Sequence, residues 1–428
     1  GGFLSRHAAD GSISEALFHT SFDWYERQFS TAPAEACRAS EELIVAGSVC
    51  NDSCDSCTWA APVSVFEASV SGDGLHALTP LDVALSGNVY AGAGNEDKRV
   101  LYSEVAEENY RKRTAMLEPR KLLKYLSEKL LHDEPVHEQT SSPHVTVTLT
   151  RGVVVDRVQF VDKEEHGSKA AHFEIHGLRC YPQHKSASAE CHESRLLLQA
   201  DSIFLAAGVW TPHLLRVIHG LRLSDTFLDA FSSSRQKHAA WCTFSVPSIR
   251  AGFVAEQSGR KALFVENESD DALEQDFYTR EFRRNDTLLY TSGAGGFSAV
   301  HELQRQSTTG HELQCPYCDL AGVAQELLRS ASRTNFGAQS LPDTSYCIED
   351  MGWGFLPYFG YDGHACIGRV PSAELARAYI AAGHGAWGVL GAPGTGQALA
   401  ELFVEDLQCC KKDDMSPESR EILSKLDP

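Results

Sequence analysis

The 428-residue sequence predicts an α/β protein in two parts, a doubly wound, Rossmann-like domain and a second, antiparallel-sheet α+β domain. Three observations predict this. Near the end, an apolar run at 378–382 meets six glycines between Gly383 and Gly396, then Leu399, Leu402, Phe403 and Leu407 at helical spacing. Earlier, an apolar stretch from Leu196 runs as a strand into Ala206-Ala207-Gly208. Residues 216–345 alternate short strand-like runs, at 241–246, 262–265 and 288–290, with charged loops, as antiparallel sheets do. The first domain is assigned residues 1–30, 114–215 and 346–410, the second 31–113 and 216–345, and 411–428 reads as a polar C-terminal tail.

Composition narrows the function classes. A chain that is 43% hydrophobic can bury two ordinary cores. A formal net charge of −20 argues against nucleic acid and against anionic membrane surfaces, which need clustered Lys and Arg. No apolar run approaches the roughly eighteen residues of a transmembrane helix. The thirteen cysteines are odd in number and irregularly spaced, which fits a reducing, intracellular compartment, cytoplasmic or organellar, better than a disulfide framework. Cys54/Cys57 and Cys315/Cys318 have the spacing of zinc half-sites but lie far apart in polar sequence, so free thiols are the alternative and no metal is expected.

In chain order, Ile13, Leu17, Ser21, Trp24 and Tyr25 are spaced as a helix face, and Glu42–Ala46 reads as a strand. The stretches 47–58 and 71–97 read as loops. Pro119 suits a first helical turn, with Leu122, Leu123, Leu126 and Leu130 as its buried stripe. Val145–Leu149 and Val153–Val158 are β-branched strands either side of Thr150-Arg151-Gly152. Leu288–Ala299 imitates a dinucleotide fingerprint, but its third glycine is replaced by Ser298 and no acid-bearing strand follows, so it reads as a hairpin of the second sheet. At 383–396 the glycines let backbone approach a flat ligand, and the following helix start presents free N–H groups and a partial positive charge. A tight, closely packed strand-to-helix turn would use the same residues.

Gly383-His384-Gly385-Ala386-Trp387-Gly388-Val389-Leu390, continuing x-x-Pro393-x-Thr395-Gly396, resembles the C-terminal flavin loop of the D-amino-acid-oxidase-like FAD-dependent oxidoreductases, in particular their eukaryotic branch of unassigned substrate. Three further segments match: Ala200–Pro212 with its Ala-Asp and Ala206-Ala207-Gly208-x-Trp210-Thr211, the Thr114-Ala115 to Leu122 helix entry, and the Gly354–Pro371 hairpin. Gly1-Gly2-Phe3-Leu4 is similar to the segment that passes under the flavin after the first βαβ unit, so the resemblance implies that the FAD-binding domain is N-terminally truncated here. That unit would carry G-x-G-x-x-G and the ribose-binding acid.

The resemblance implies non-covalent FAD held by Gly1, Gly2, Phe3, Leu4, Gly152, Val153, Val154, Ala206, Ala207, Gly208, Trp210, Gly383, His384, Gly385, Gly388, Val389, Leu390 and Gly391. Gly152-Val153-Val154 would read the adenine edge, and the helix start would favour the negative charge of reduced flavin. His384, Trp387, Trp353 and Tyr358 are the candidate shapers of the catalytic site. His384 serves equally as a polar turn residue, and the Trp387 indole reads as core while its backbone lines the flavin. The hairpin departs from the family at Gly360 and Ala365, and Phe355-Leu356 stands where many members place a carboxylate-gripping Arg. Gly354 occupies the place of the flavin-linking cysteine of some relatives, with Cys347 and Cys366 out of register. The implied activity is oxidation of a C–N bond in a small-molecule amine or amino-acid-like substrate, with oxygen as electron acceptor. The alternative is a flavoprotein-fold adaptor or assembly factor without turnover.

Overall fold

The structure, a computed structural model, describes residues 3–6, 15–30, 63–71, 74–76, 86–91, 101–105, 114–116, 119–132, 147–150, 153–161, 171–179, 194–232, 235–247, 260–267, 274–282, 286–299, 319–333, 347–358, 364–372, 377–408 and 415–426. The chain opens with β1 (Phe3–Ser5) and α1 (Glu15–Ser30), then β2 (Val63–Ser71), β3 (Gly74–His76), β4 (Ser86–Ala91) and β5 (Leu101–Val105). β6 (Thr114–Met116) and α2 (Pro119–His132) lead to β7 (Val153–Val161), β8 (His172–Arg179) and β9 (Ser194–Ala200). Next come β10 (Ile203–Leu205), α3 (Thr211–Arg216), β11 (Ile218–His219) and α4 (Asp225–Ser232). β12 (Arg235–Pro247), β13 (Arg260–Asn267), β14 (Glu274–Phe282), β15 (Asp286–Ala299) and α5 (Leu320–Arg333) follow. The chain closes with β16 (Cys347–Leu356), β17 (Cys366–Arg369), β18 (Ala378–Ala382), α6 (Gly388–Gln408) and α7 (Pro417–Leu426).

Among the described residues four sheets form: β1-β6; β10-β18-β17; β11-β7-β8-β9; and nine strands, β16-β12-β15-β14-β13-β2-β5-β4 with β3 on β2. β10 and β18 are parallel, with Leu205 opposite Ile380, so both strands send their chains out at the same end. The three- and four-stranded sheets pack face to face through Val158, Phe173, Ile203, Leu205, Ile380 and Ala382. A second core joins Leu4, Leu17, Phe18, Phe22, Tyr25, Leu390 and Leu402 across β1, α1 and α6. At the far end of α6, Asp406 takes a bidentate bond from Arg369 of β17 (2.6 and 3.0 Å) and a 2.6 Å bond from the Tyr379 hydroxyl of β18. These tie the helix to the sheet.

Several sequence expectations change. The segment 196–205 is two strands, because it breaks at Asp201-Ser202 and β9 and β10 enter different sheets. Cys347–Leu356, expected in the first domain, is β16 and pairs with β12 in the nine-stranded sheet. Ile218-His219, expected in the second, pairs with β7, and Ile218 and Phe227 enter the core between the two smaller sheets. Leu288–Ala299 lies within one 14-residue strand, not a hairpin. In α2 Leu122 is buried and Leu126 partly so, while Leu123 and Leu130 are 64% and 61% exposed. Leu407 is likewise exposed, past the point where α6 leaves the core. Residues 147–150 are not in a strand.

The expected polar tail is also overturned. Residues 417–426 form α7, and Ile422, Leu423 and Leu426 are buried in the core with Met415. Ser416 caps the helix, its Oγ accepting from Ser419 N–H at 3.2 Å. Glu401 of α6 accepts from both Ser416 N–H and Oγ, at 2.8 and 2.9 Å, which docks the cap. The expected strand at 42–46, the loops at 47–58 and 71–97 (apart from the strand residues there), the Cys54/Cys57 and Cys315/Cys318 pairs, Ile13, Gly1, Gly2 and Gly152 lie outside the described residues.

Candidate functional site

Two glycine-bearing turns leave the carboxyl ends of the parallel strands β10 and β18. After Leu205, Ala206 and Ala207 lead into a 3₁₀ turn at Gly208–Trp210, with Gly208 at φ 55°. After Ala382, Gly383 (φ 82°) and Gly385 (φ 53°) flank His384, and a second 3₁₀ turn at Gly385–Trp387 opens directly into α6. These positive φ values are ones that side-chain-bearing residues rarely adopt. The two reversals are neighbours because their strands are paired. In open α/β sheets ligands bind outside the carboxyl ends of the strands.

The second turn is seated by the residues that follow β16. Gly385 N–H donates to the Pro357 carbonyl at 2.8 Å. A Cβ at Gly385 would lie 2.5 Å from the Tyr358 ring, so Tyr358 packs flat against bare backbone. His384 turns the other way, with Nε2 2.9 Å from Thr395 Oγ1 inside α6. Burial pushes its pKa down from 6.5 to about 4, so the imidazole is neutral at physiological pH. Trp387 is 40% exposed and tilts against Phe18 with ring centroids 5.6 Å apart. Its indole, expected to be core, is instead a partly open wall beside the turn.

The helix begins earlier than the glycine run suggests. Gly388, Gly391, Gly394 and Gly396 are all inside α6. Gly391 and Gly394 pack closely, since a Cβ at 391 would lie 3.1 Å from His384 Cδ2 and 3.2 Å from Leu17 Cδ2, and one at 394 would lie 2.8 Å from Ser21 Oγ. Gly388 differs. Among the described residues a Cβ there would meet His384 Cβ alone, at 3.6 Å, and Gly208 and Gly354 have nothing within 4 Å. So the one run serves both readings, close packing at 391 and 394 and open space at 388.

Pro393 sits inside α6 and has no N–H for the carbonyl four residues back, that of Val389. The buried Tyr25 hydroxyl of α1 donates to this carbonyl instead, at 2.6 Å. One turn earlier on α1, Ser21 Oγ accepts from Gly394 N–H at 2.9 Å. Sequence reading placed Ser21 and Tyr25 only on a packing stripe. A proline four residues after the turn's Val389 was the signal that a donor had to come from elsewhere.

The remaining candidates are distributed. Leu4 is fully buried in the cluster that holds Leu390, which brings β1 beside the start of α6. Val389 is partly buried against that cluster. Val153 and Val154 lie in β7, in the facing sheet, with the Val154 side chain 55% exposed. Trp353 pairs with Ala240 of β12, so it shares the sheet face of Ala240 and Cys242. That face is covered by α5, since Cys242 Sγ lies 3.9 Å from the Ala324 carbonyl. Trp353 is therefore not brought beside His384 and Tyr358. Trp241, by contrast, lies over Gly352 on the opposite face and stacks on Tyr290 at 6.1 Å. Among the described residues no group of three His, Cys, Asp or Glu side chains could hold a metal ion, and no helix is long and apolar enough to cross a membrane.

His384 makes a testable contribution to stability. Its folded-state pKa lies below its ordinary value, so the unfolded chain binds the proton more readily. Stability is full above about pH 6.5 and declines as pH falls toward about 4. The expected loss is on the order of 2–3 kcal/mol. Denaturant unfolding at stepped pH checks this, and His384→Asn should flatten the slope in that window.

A family model for FAD dependent oxidoreductases (DAO) matches residues 110–402. Glycine oxidase from Geobacillus kaustophilus has a similar structure, with a TM-score of 0.53 and 13% identity over 100% of this chain and 86% of that one. Glycine oxidase from Bacillus cereus gives 0.50 and 12% over 95% and 86%. No curated protein sequence matches.

Proposed function

We propose, from the premise that this chain belongs to the DAO family of FAD-dependent oxidoreductases, that it oxidises a C–N bond of a small amine or amino-acid-like substrate, with FAD held non-covalently and electrons passed to oxygen. The observation that carries the reading is the pair of glycine turns at the carboxyl ends of β10 and β18. The residues fit the group: Gly208 and Gly383 turn the chain without a side chain in the way and, among the described residues, the space over Gly208 and Gly388 is open. Ala206, Ala207, Gly208 and Trp210 would line one side, and Gly383–Gly391 the flavin end. FAD, when bound, supplies the hydride acceptor.

This chain's own groups bind and orient. The first turn of α6 presents the positive end of the helix, where negative charge is favoured. A neutral His384 places no cation beside an amine that must itself be neutral to lose hydride. Phe355 stands in the hairpin with its ring edge-on to His238 and Trp353, at 5.1 and 5.5 Å, and Leu356 precedes Pro357. Neither of these two positions supplies a guanidinium fork for a substrate carboxylate. Lys237 lies opposite Leu356, a point charge rather than a fork. A secondary or primary amine therefore suits the site better than a plain α-amino acid. Non-covalent attachment is supported by Gly354 at the linking position. Cys347 is seven residues back along β16, roughly 23 Å at about 3.3 Å per residue, and Cys366 packs against the core.

The test is anaerobic bleaching of the flavin in the full-length protein by a panel of N-methyl amines, primary amines and D-amino acids. Bleaching by an amine, with colour restored and peroxide formed on admitting air, is the expected result. A flavin bleached by none of them would instead support the adaptor without turnover. Gly208→Leu supplies a structural check. The side chain has room, so its cost to the apoprotein should be only the left-handed backbone, about 1–2 kcal/mol, while FAD content falls sharply. A stable, yellow variant would remove Gly208 from the cofactor site.

A further inference from the structure

Helix α6 is broken in its hydrogen bonding next to the turn that the proposed function assigns to the flavin. Pro393 deprives the Val389 carbonyl of its in-helix donor, and an unsatisfied carbonyl in the first turn would be drawn toward any other donor or toward water. Tyr25 prevents this. Its hydroxyl reaches the carbonyl at 2.6 Å from a ring that is 1% exposed, and burial holds the phenol protonated, well above its ordinary range. Ser21, four residues earlier on the same face of α1, takes the N–H of Gly394. The close approach needed for both bonds is allowed by Gly391 and Gly394, which leave room for Leu17 and Ser21. Thus α1 grips α6 on both sides of the proline. The face of Gly388 outside this grip stays open.

We infer that Tyr25 is a positioning residue for the cofactor: by holding the Val389 carbonyl on the α1 side, it fixes the start of α6 so that the backbone N–H groups of residues 388–391 point at the flavin. The inference rests on the reading that FAD lies against this turn. Removing the hydroxyl frees the carbonyl and lets the turn tilt, which weakens cofactor binding although Tyr25 itself does not contact the cofactor. The geometry also names its own rescue. An alanine at 393 restores a backbone N–H four residues after Val389, so the carbonyl regains a donor from within the helix.

The experiment is titration of FAD into the apo form of the full-length protein, followed by flavin fluorescence, well below the melting temperature of every variant. Tyr25→Phe is expected to raise Kd about tenfold, equivalent to ~1.4 kcal/mol. Tyr25→Phe/Pro393→Ala should return Kd toward wild type, and if Tyr25→Phe alone does not fold, the double variant should both fold and bind. A weakened Tyr25→Phe that the second change does not rescue, or a double variant that fails to fold, overturns the role of the carbonyl. Gly388→Val separates the two layers of the argument. If it strips FAD while Tyr25→Phe binds like wild type, Tyr25 has no positioning role and the proposed function stands. If neither variant affects binding, the flavin does not lie at this turn and both fall.

Discussion

Gly388→Val is expected to yield a full-length protein that folds normally and loses its FAD. Gly388 has ordinary helical geometry, φ −57° and ψ −41°, so a valine meets no backbone strain. Among the described residues its Cβ would touch His384 Cβ alone, at an ordinary contact distance of 3.6 Å. The remaining direction is open, and two methyl groups placed there would occupy the space assigned to the isoalloxazine ring. Overlap of that kind costs about 1–3 kcal/mol, or roughly five- to 150-fold in Kd. Thermal unfolding of the apoprotein and FAD titration check the two halves separately. Unchanged flavin affinity would place the ring elsewhere. Lost affinity with a collapsed melting temperature would show that the valine disturbed the protein and not its ligand.

Gly385→Ala should act the other way, through the protein itself. The residue is at φ 53°, where an L side chain costs about 1–2 kcal/mol. Its new methyl would also overlap the Tyr358 ring, a further cost of about 1–3 kcal/mol. Together they predict roughly 2–5 kcal/mol of destabilisation, with FAD lost because the turn can no longer sit on Pro357 and Tyr358. Adding Tyr358→Ala should recover the overlap portion and leave the backbone portion. An unchanged melting temperature in Gly385→Ala would mean that the turn can relax at no cost and that Tyr358 is not its seat.

The sequence by itself determined the parts that depend on short-range pattern. The strand at 378–382, the glycine turn, the helix carrying Leu399 and Leu402, and the apolar run into Ala206-Ala207-Gly208 follow from residue type and spacing alone. α7 was legible as well, with Ser416 and Pro417 as cap and first residue ahead of Ile422, Leu423 and Leu426, and its polar composition hid it. Tertiary structure decided what local pattern cannot encode, namely which surfaces meet. Strand alternation assigns Trp353 to a face, but only the position of α5 makes that face the covered one. Six closely spaced glycines look equivalent along the chain, yet Gly391 and Gly394 admit α1, Gly385 admits Tyr358, and Gly388 faces open space. Tyr25 and Val389 are 364 residues apart in sequence, and their bond exists because Pro393 leaves a carbonyl without a donor just where α1 crosses. A buried backbone group must find a partner, but which partner it finds is settled only by the packing of distant segments.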